Sequence, residues 1–184
     1  GFEFQEPQAT ADPPLWTWRV DLTAGTVTDE KLVDAAGEFS RIDDRRAGRR
    51  HRYGYCLRQR DPQFDFSFFT LSKHDIDSGE VRTFTYGESE TCGEHAFAPD
   101  PDRSGEDDGW LLSLVTAAAP ASSALVVIDA RDIAAGPIAR VHLPRRVPPH
   151  ELATRGVIAV GVVKNRGVGA GTGVRAGYSH GNQT

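Results

Sequence analysis

The chain has 184 residues, a formal net charge of −5 at pH 7, 39% hydrophobic residues and no Met. That charge argues against a general nucleic-acid binder, which carries a basic surface, and no apolar run approaches the length of a membrane span. Cys56 and Cys92 are too few for a disulfide scaffold and lack metal-type spacing, so a reduced, cytoplasmic protein is expected.

Residues 1–14 are polar and Pro-containing and read as a connecting loop. Trp16, Trp18, Val20 and Leu22 then alternate with Thr17, Arg19 and Asp21, which predicts a half-buried strand over 16–22. A turn starts at Asp21, passes Gly25 and leads to a returning run. Arg41, Arg45, Arg46, Arg49, Arg50, Arg52 and Arg58 make the next stretch basic. No aromatic stacking pattern accompanies them, so it reads as a solvated loop. Further strands are expected over 53–57, 66–73, 81–86, 110–115, 125–129 and 138–142. Residues 116–123 are Ala-rich and have the look of a short helix.

Asp21, Asp75 and Asp129 each stand 54 residues from the next, each between two apolar runs. In the first two, a Gly follows four residues later, at Gly25 and Gly79. A strand, an Asp-initiated turn, a Gly and a returning strand make a hairpin. Repeats of this length with several strands each mark the blades of a β-propeller. The expected fold is therefore all-β. The chain holds about three blades where a ring takes 4–8, so it reads as a piece of a larger protein.

If each hairpin is the outer half of a blade, the following segment begins the inner strand of the next. Glu38 follows Gly25 by 13 residues, Glu94 follows Gly79 by 15, and His150 follows Gly136 by 14. The repeat aims these three at one axis. A solvated loop carboxylate is the plainer reading of either Glu taken alone. Past residue 152 the blade rhythm is lost. Gly167, Gly169, Gly171 and Gly173 do not make a dinucleotide fingerprint, because Val174 stands where the last Gly is needed. The expected organisation is a propeller portion over 1–152 and a Gly/Val-rich tail over 153–184, frameshifted or disordered.

With these segments in hand the chain resembles the carotenoid cleavage oxygenase family. The segments are Leu15-Trp16-Thr17-Trp18-Arg19-Val20-Asp21-Leu22, Gly37-Glu38-Phe39-Ser40-Arg41-Ile42-Asp43, Arg50-His51-Arg52-Tyr53-Gly54-Tyr55 and Lys73-His74-Asp75. Gly93-Glu94 with Phe97-Ala98-Pro99, Glu106-Asp107-Asp108-Gly109-Trp110-Leu111-Leu112 and His142-Leu143-Pro144-Arg145-Arg146-Val147-Pro148 complete the set. The resemblance implies the C-terminal portion of a seven-bladed propeller with Fe(2+) on its axis. Four histidines bind that iron, and glutamates hydrogen-bond to some of them. It implies O2-dependent cleavage of a carbon–carbon double bond in an apolar carotenoid, apocarotenoid or stilbene to carbonyl products. It also implies peripheral membrane contact for substrate uptake in the full-length protein.

Glu38 and Glu94 fall on the family's glutamate positions. A carboxylate accepting the free imidazole N–H fixes the tautomer and orientation of an iron-bound His. The family's first three iron histidines would precede Gly1. The fourth follows Val-Pro by a few residues, whereas here His150 comes two or three positions early and Ala153 stands near the expected place. His150 is thus the candidate metal ligand. His51, His74 and His142 read as structural, His95 as turned away from the axis by its adjacency to Glu94, and His180 as part of the tail. The alternative function is a non-catalytic truncated propeller without a complete iron site.

Overall fold

Asp21, Asp75 and Asp129 close the third strand of three successive units, and each turns the chain in the same way. The Asp21 carboxylate accepts the backbone N–H of Thr23 and Ala24, both at 2.9 Å. Asp75 accepts those of Asp77 and Ser78, and Asp129 that of Arg131. An Asp side chain that takes up backbone donors two or three residues on is an Asx-turn. The 54-residue period of the sequence is therefore a period of chain reversal.

The computed structural model describes residues 14–34, 37–61, 65–118, 120–147, 158–163 and 173–178; for 60–61, 65–66, 158–163 and 173–178 the backbone alone is described. Strands β1 (Leu15–Asp21) and β2 (Thr26–Val33) form a two-stranded antiparallel sheet. Next come β3 (Glu38–Arg41), β4 (Tyr53–Asp61), β5 (Asp65–Asp75) and β6 (Val81–Thr85), hydrogen-bonded in that order, each antiparallel to the next. Then β7 (Glu90–Pro99), β8 (Gly109–Ala117), β9 (Ser122–Asp129) and β10 (Pro137–His142) repeat the arrangement. These are two four-stranded blades preceded by the outer hairpin of a third. A single ladder pair, Phe68 with Cys92, joins the blades through β5 and β7, and the Cys92 thiol donates to the Phe68 carbonyl at 3.1 Å.

All seven expected strands are present, several extended by a few residues. Residues 116–123 are not a helix: they end β8, turn and begin β9, where Thr116 pairs with Ser123. Cross-strand pairing decides the matter there, since helix propensity is a weak prior.

The core lies between the blades. Tyr55, Leu57 and Leu71 from the first meet Leu111, Val115, Val126 and Ile128 from the second, all buried. On the opposite face of the second blade, Leu112, Leu114, Leu125 and Val127 pack with Val141, Leu143 and Val147. Blade two is thus apolar on both faces, which is why 125–128 reads as an unbroken apolar run. The alternation of β1 does not lead to burial. Trp18 is 69% exposed and Leu22 91%, so the predicted half-buried face of this strand is open among the described residues.

Polar side chains tie the same seam. The Glu106 carboxylate, in the turn between β7 and β8, accepts the backbone N–H of Arg52 at 2.6 Å and of Tyr53 at 2.7 Å. It thereby caps the start of β4 in the preceding blade. Arg52 grips Asp75 through two nitrogens, at 2.8 and 2.6 Å, and this pairing holds the carboxyl well below the usual carboxylate range. Much of the basic stretch is paired with acid in this manner, with Arg45 on Asp43 and Arg50 on Asp77.

In the tail, β11 (Ile158–Val163) pairs with β12 (Gly173–Tyr178) as an antiparallel hairpin. The proposed boundary near 152 lies outside the described residues.

Candidate functional site

Glu38 and Glu94 occupy the first strands of successive blades, β3 and β7, and each follows a glycine directly. In both strands the ladder breaks at the glutamate. The β3–β4 register shifts between Glu38 and Arg41. The β7–β8 register shifts between Cys92 and His95. An irregularity of this kind re-aims a side chain, and such breaks gather beside functional sites.

The break in β3 is conformationally costly. Gly37 has φ +104°, and a Cβ there would fall 2.2 Å from the Leu57 carbonyl oxygen. Phe39 has φ +52° and is the one non-glycine residue with positive φ among the described residues. Such a backbone persists only where its surroundings hold it. Phe39 is held by its ring, which meets Phe68 edge-on at 5.0 Å between centroids. Ser40 adds a 3.3 Å contact between its hydroxyl and the Cys56 sulfur.

The consequence concerns Arg41. Residues three apart on a regular strand face opposite sides, so Glu38 and Arg41 would be separated by the sheet. The break between them resets that alternation. Arg41 reaches across the seam and donates from one guanidinium nitrogen to Glu94 Oε2 at 3.0 Å. Glu94 is about one-quarter exposed, and Glu38 lies on an exposed strand with no hydrogen bond or ion pair among the described residues. Glu38 and Glu94 are not bonded to each other; Arg41 links their strands. In the sequence Arg41 stands with the basic stretch expected to be a solvated loop. Its signals were its place three residues after Glu38 and its separation of 53 residues, one short of the repeat, from Glu94.

His95, the next residue in β7, is buried where Glu94 is partly exposed. It is 1% exposed, its ring nitrogens have no close hydrogen-bond partner among the described residues, and its ring meets Tyr55 edge-on at 6.4 Å. Burial, aided by the nearby Arg41 charge, pulls its pKa down to about 3, so it is a neutral imidazole. His74 is also buried, with its Nε2 2.9 Å from the Ser72 hydroxyl, and His142 sits on the outer strand β10. His150 and His180 lie outside the described residues.

Among the described residues no group of three or more His, Cys, Asp or Glu is placed to hold a metal ion. What they offer is acceptor capacity. One Glu94 oxygen is engaged by Arg41, and the Glu38 carboxylate is unengaged. Carboxylates so arranged fit the task of accepting an imidazole N–H, not that of ligating a metal by themselves. Among the described residues no helix is long and apolar enough to cross a membrane.

Comparison with known proteins gives this geometry a context. The family model described as RPE65, retinal pigment epithelial membrane protein, matches residues 2–150. An apocarotenoid-15,15'-oxygenase of Synechocystis is 33% identical over 134 residues, covering 73% of this chain and 27% of that protein. Lignostilbene-alpha,beta-dioxygenase isozyme III of Sphingomonas paucimobilis is 31% identical over 150 residues, covering 74% of this chain and 30% of that protein. The crystal structure of cobalt-substituted Synechocystis apocarotenoid oxygenase superposes with a TM-score of 0.68 at 32% identity, over 78% of this chain and 30% of that one. The chain spans under a third of the length of these relatives. Two four-stranded blades, a repeat that turns on Asp21, Asp75 and Asp129, and a match over most of the chain lead to one conclusion: this chain belongs to the RPE65 family of carotenoid cleavage oxygenases.

Proposed function

We propose that the chain forms part of an Fe(2+)-dependent dioxygenase that cleaves a carbon–carbon double bond of a carotenoid, apocarotenoid or stilbene. The two oxygen atoms of O2 end in the two carbonyl products. The chain contributes Glu38 and Glu94, each accepting the N–H of an iron-bound histidine, and His150 is its candidate ligand. The carrying observation is that two Gly-Glu pairs begin equivalent strands of successive blades, each at a break in the ladder. Iron supplies the site that activates O2 when bound. The apolar substrate calls for peripheral membrane contact, and the two buried free thiols suit a reducing cytoplasm.

The test uses a complete propeller in which residues 15–147 replace the matching segment of a family member. It should show O2-dependent loss of polyene absorbance and two carbonyl products by mass spectrometry. Glu38→Gln and Glu94→Gln should each lower iron retention or turnover roughly 10–100-fold. Unchanged iron retention and turnover in both variants would sink the assignment.

A second reading concerns the chain alone. His150 is its single candidate ligand, and one imidazole does not hold Fe(2+) selectively. By itself the chain is a non-catalytic propeller fragment. Adding Fe(2+) anaerobically to the purified chain and measuring bound metal tests this; stoichiometric iron with carotenoid turnover would overturn it.

A further inference from the structure

We infer that Arg41 is a positioning residue: it anchors Glu94 Oε2 from the neighbouring blade and thereby presents Oε1 as the acceptor for an imidazole. This rests on the proposed role of Glu94 and extends it to a residue of a different strand.

The argument starts from what holds Glu94. A glutamate side chain has three rotatable bonds, and an acceptor oxygen must be aimed to fix an imidazole ring. Its own strand does not aim it, because the β7 ladder breaks at Gly93 and Glu94. Among the described residues, the side-chain hydrogen bond that fixes it comes from Arg41, at 3.0 Å and to a single oxygen. The guanidinium is a rigid planar donor that stays charged at any working pH. It engages Oε2 alone, which leaves Oε1 as the oxygen able to accept a second hydrogen bond.

The backbone of β3 is shaped to make that reach. Gly37 and Phe39 adopt positive φ and shift the register, and the shift places Arg41 toward the seam. The pair is not there chiefly for stability. Arg41 is 47% exposed, and an ion pair of that exposure is screened and contributes little to folding. A strained strand that ends in a weakly stabilising but geometrically specific bond is better explained by orientation. The two glutamates are then inequivalent: Glu94 is clamped across the seam and Glu38 is not.

The experiment uses the same complete propeller with residues 15–147 grafted, loaded with Co(2+) so that the visible ligand-field spectrum reports the metal geometry. Arg41→Ala should speed metal loss about 10-fold and alter that spectrum, with the melting temperature nearly unchanged. Arg41→Lys, which keeps the charge but not the planar fork, should recover part of the loss. The double variant Arg41→Ala/Glu94→Gln should be no worse than Glu94→Gln alone. The charge-swapped pair Arg41→Glu/Glu94→Arg should keep the melting temperature nearly unchanged and not restore metal retention. If Glu94→Gln loses metal and Arg41→Ala does not, Arg41 has no positioning role. If Arg41→Ala lowers the melting temperature in step with metal loss and the swapped pair restores both, Arg41 is a structural tie. If Glu94→Gln itself has no effect, the role of Glu94 falls first.

Discussion

Lys73 and Asp107 meet across the seam between the blades, ammonium nitrogen to carboxylate oxygen at 2.7 Å. The same ammonium donates to the Ala130 carbonyl at 2.8 Å and lies 4.2 Å from the centre of the Tyr53 ring. A single cation therefore joins β5 of one blade to the turns on either side of β8 and β9 in the next. Its side chain is only 7% exposed.

Removing that cation should be costly. Lys73→Met keeps the apolar stem but strands Asp107 and the Ala130 carbonyl, and breaking a buried pair in this way costs about 3 kcal/mol. Urea unfolding should show the loss as a lower midpoint at constant slope. A midpoint within error of the parent would show that the seam does not depend on Lys73.

Two glycines with positive φ should respond differently to alanine. Gly25, at φ +65°, has open space where a Cβ would go, so Gly25→Ala should cost about 1 kcal/mol of backbone strain. Gly37 would drive its Cβ against the Leu57 carbonyl, so Gly37→Ala should cost more than about 3 kcal/mol and disturb β3. Equal effects of the two in thermal melts would contradict the geometry at Gly37.

The buried neutral His95 makes stability pH-dependent. Its pKa is about 3 in the fold against an ordinary 6.5, so between those values the unfolded chain binds the extra proton. Stability is full above pH 6.5 and falls as pH drops toward 3, by at most about 1.4 kcal/mol per unit. Asp75, held down by Arg52, adds its own loss only below the usual carboxylate range. His95→Gln should flatten the profile between pH 6.5 and 4.5 and leave the lower limb in place. An unchanged slope in that window would mean that His95 is protonated in the fold.

Both thiols should be silent in the native chain. Cys56 and Cys92 are each 1% exposed, and burial pushes the Cys92 thiol up to about 12. The thiolate is the reactive form. Iodoacetamide at pH 8 should label neither residue in native conditions and both in denaturant, read by mass spectrometry. Rapid native labelling of Cys92 would place β7 away from the core.

The outer hairpins were legible in the sequence because their chemistry is local. An Asp that captures its own backbone donors and a Gly that supplies positive φ at Gly25 and Gly79 announce a turn in either context. The first strands of the blades had only their place in the repeat to show them. In β3 the alternation is interrupted by Gly37 and by the inverted φ of Phe39, and in β7 by the break at Gly93. The features that aim Glu38 and Glu94 are the same ones that hide the strand pattern. Arg41 was hidden by its company, since it opens a stretch of seven Arg, of which Arg45, Arg50 and Arg52 pair with acids of their own blade. Its partner lies on another blade, which periodicity alone does not reveal. The open face of Trp18 and Leu22 was misjudged because alternation shows amphipathicity, not what covers it.

Three of the ties across the seam span nearly the same length of chain: 53 residues from Arg41 to Glu94, 54 from Arg52 to Glu106, and 57 from Lys73 to Ala130. Loop-closure entropy depends on the logarithm of that length. Each new blade therefore adds a seam of the same entropic cost, and none becomes harder to close as the chain grows. Ordering can propagate from one blade to its neighbour, as in a stacked repeat, and only the joining of the last blade to the first has to overcome a long separation.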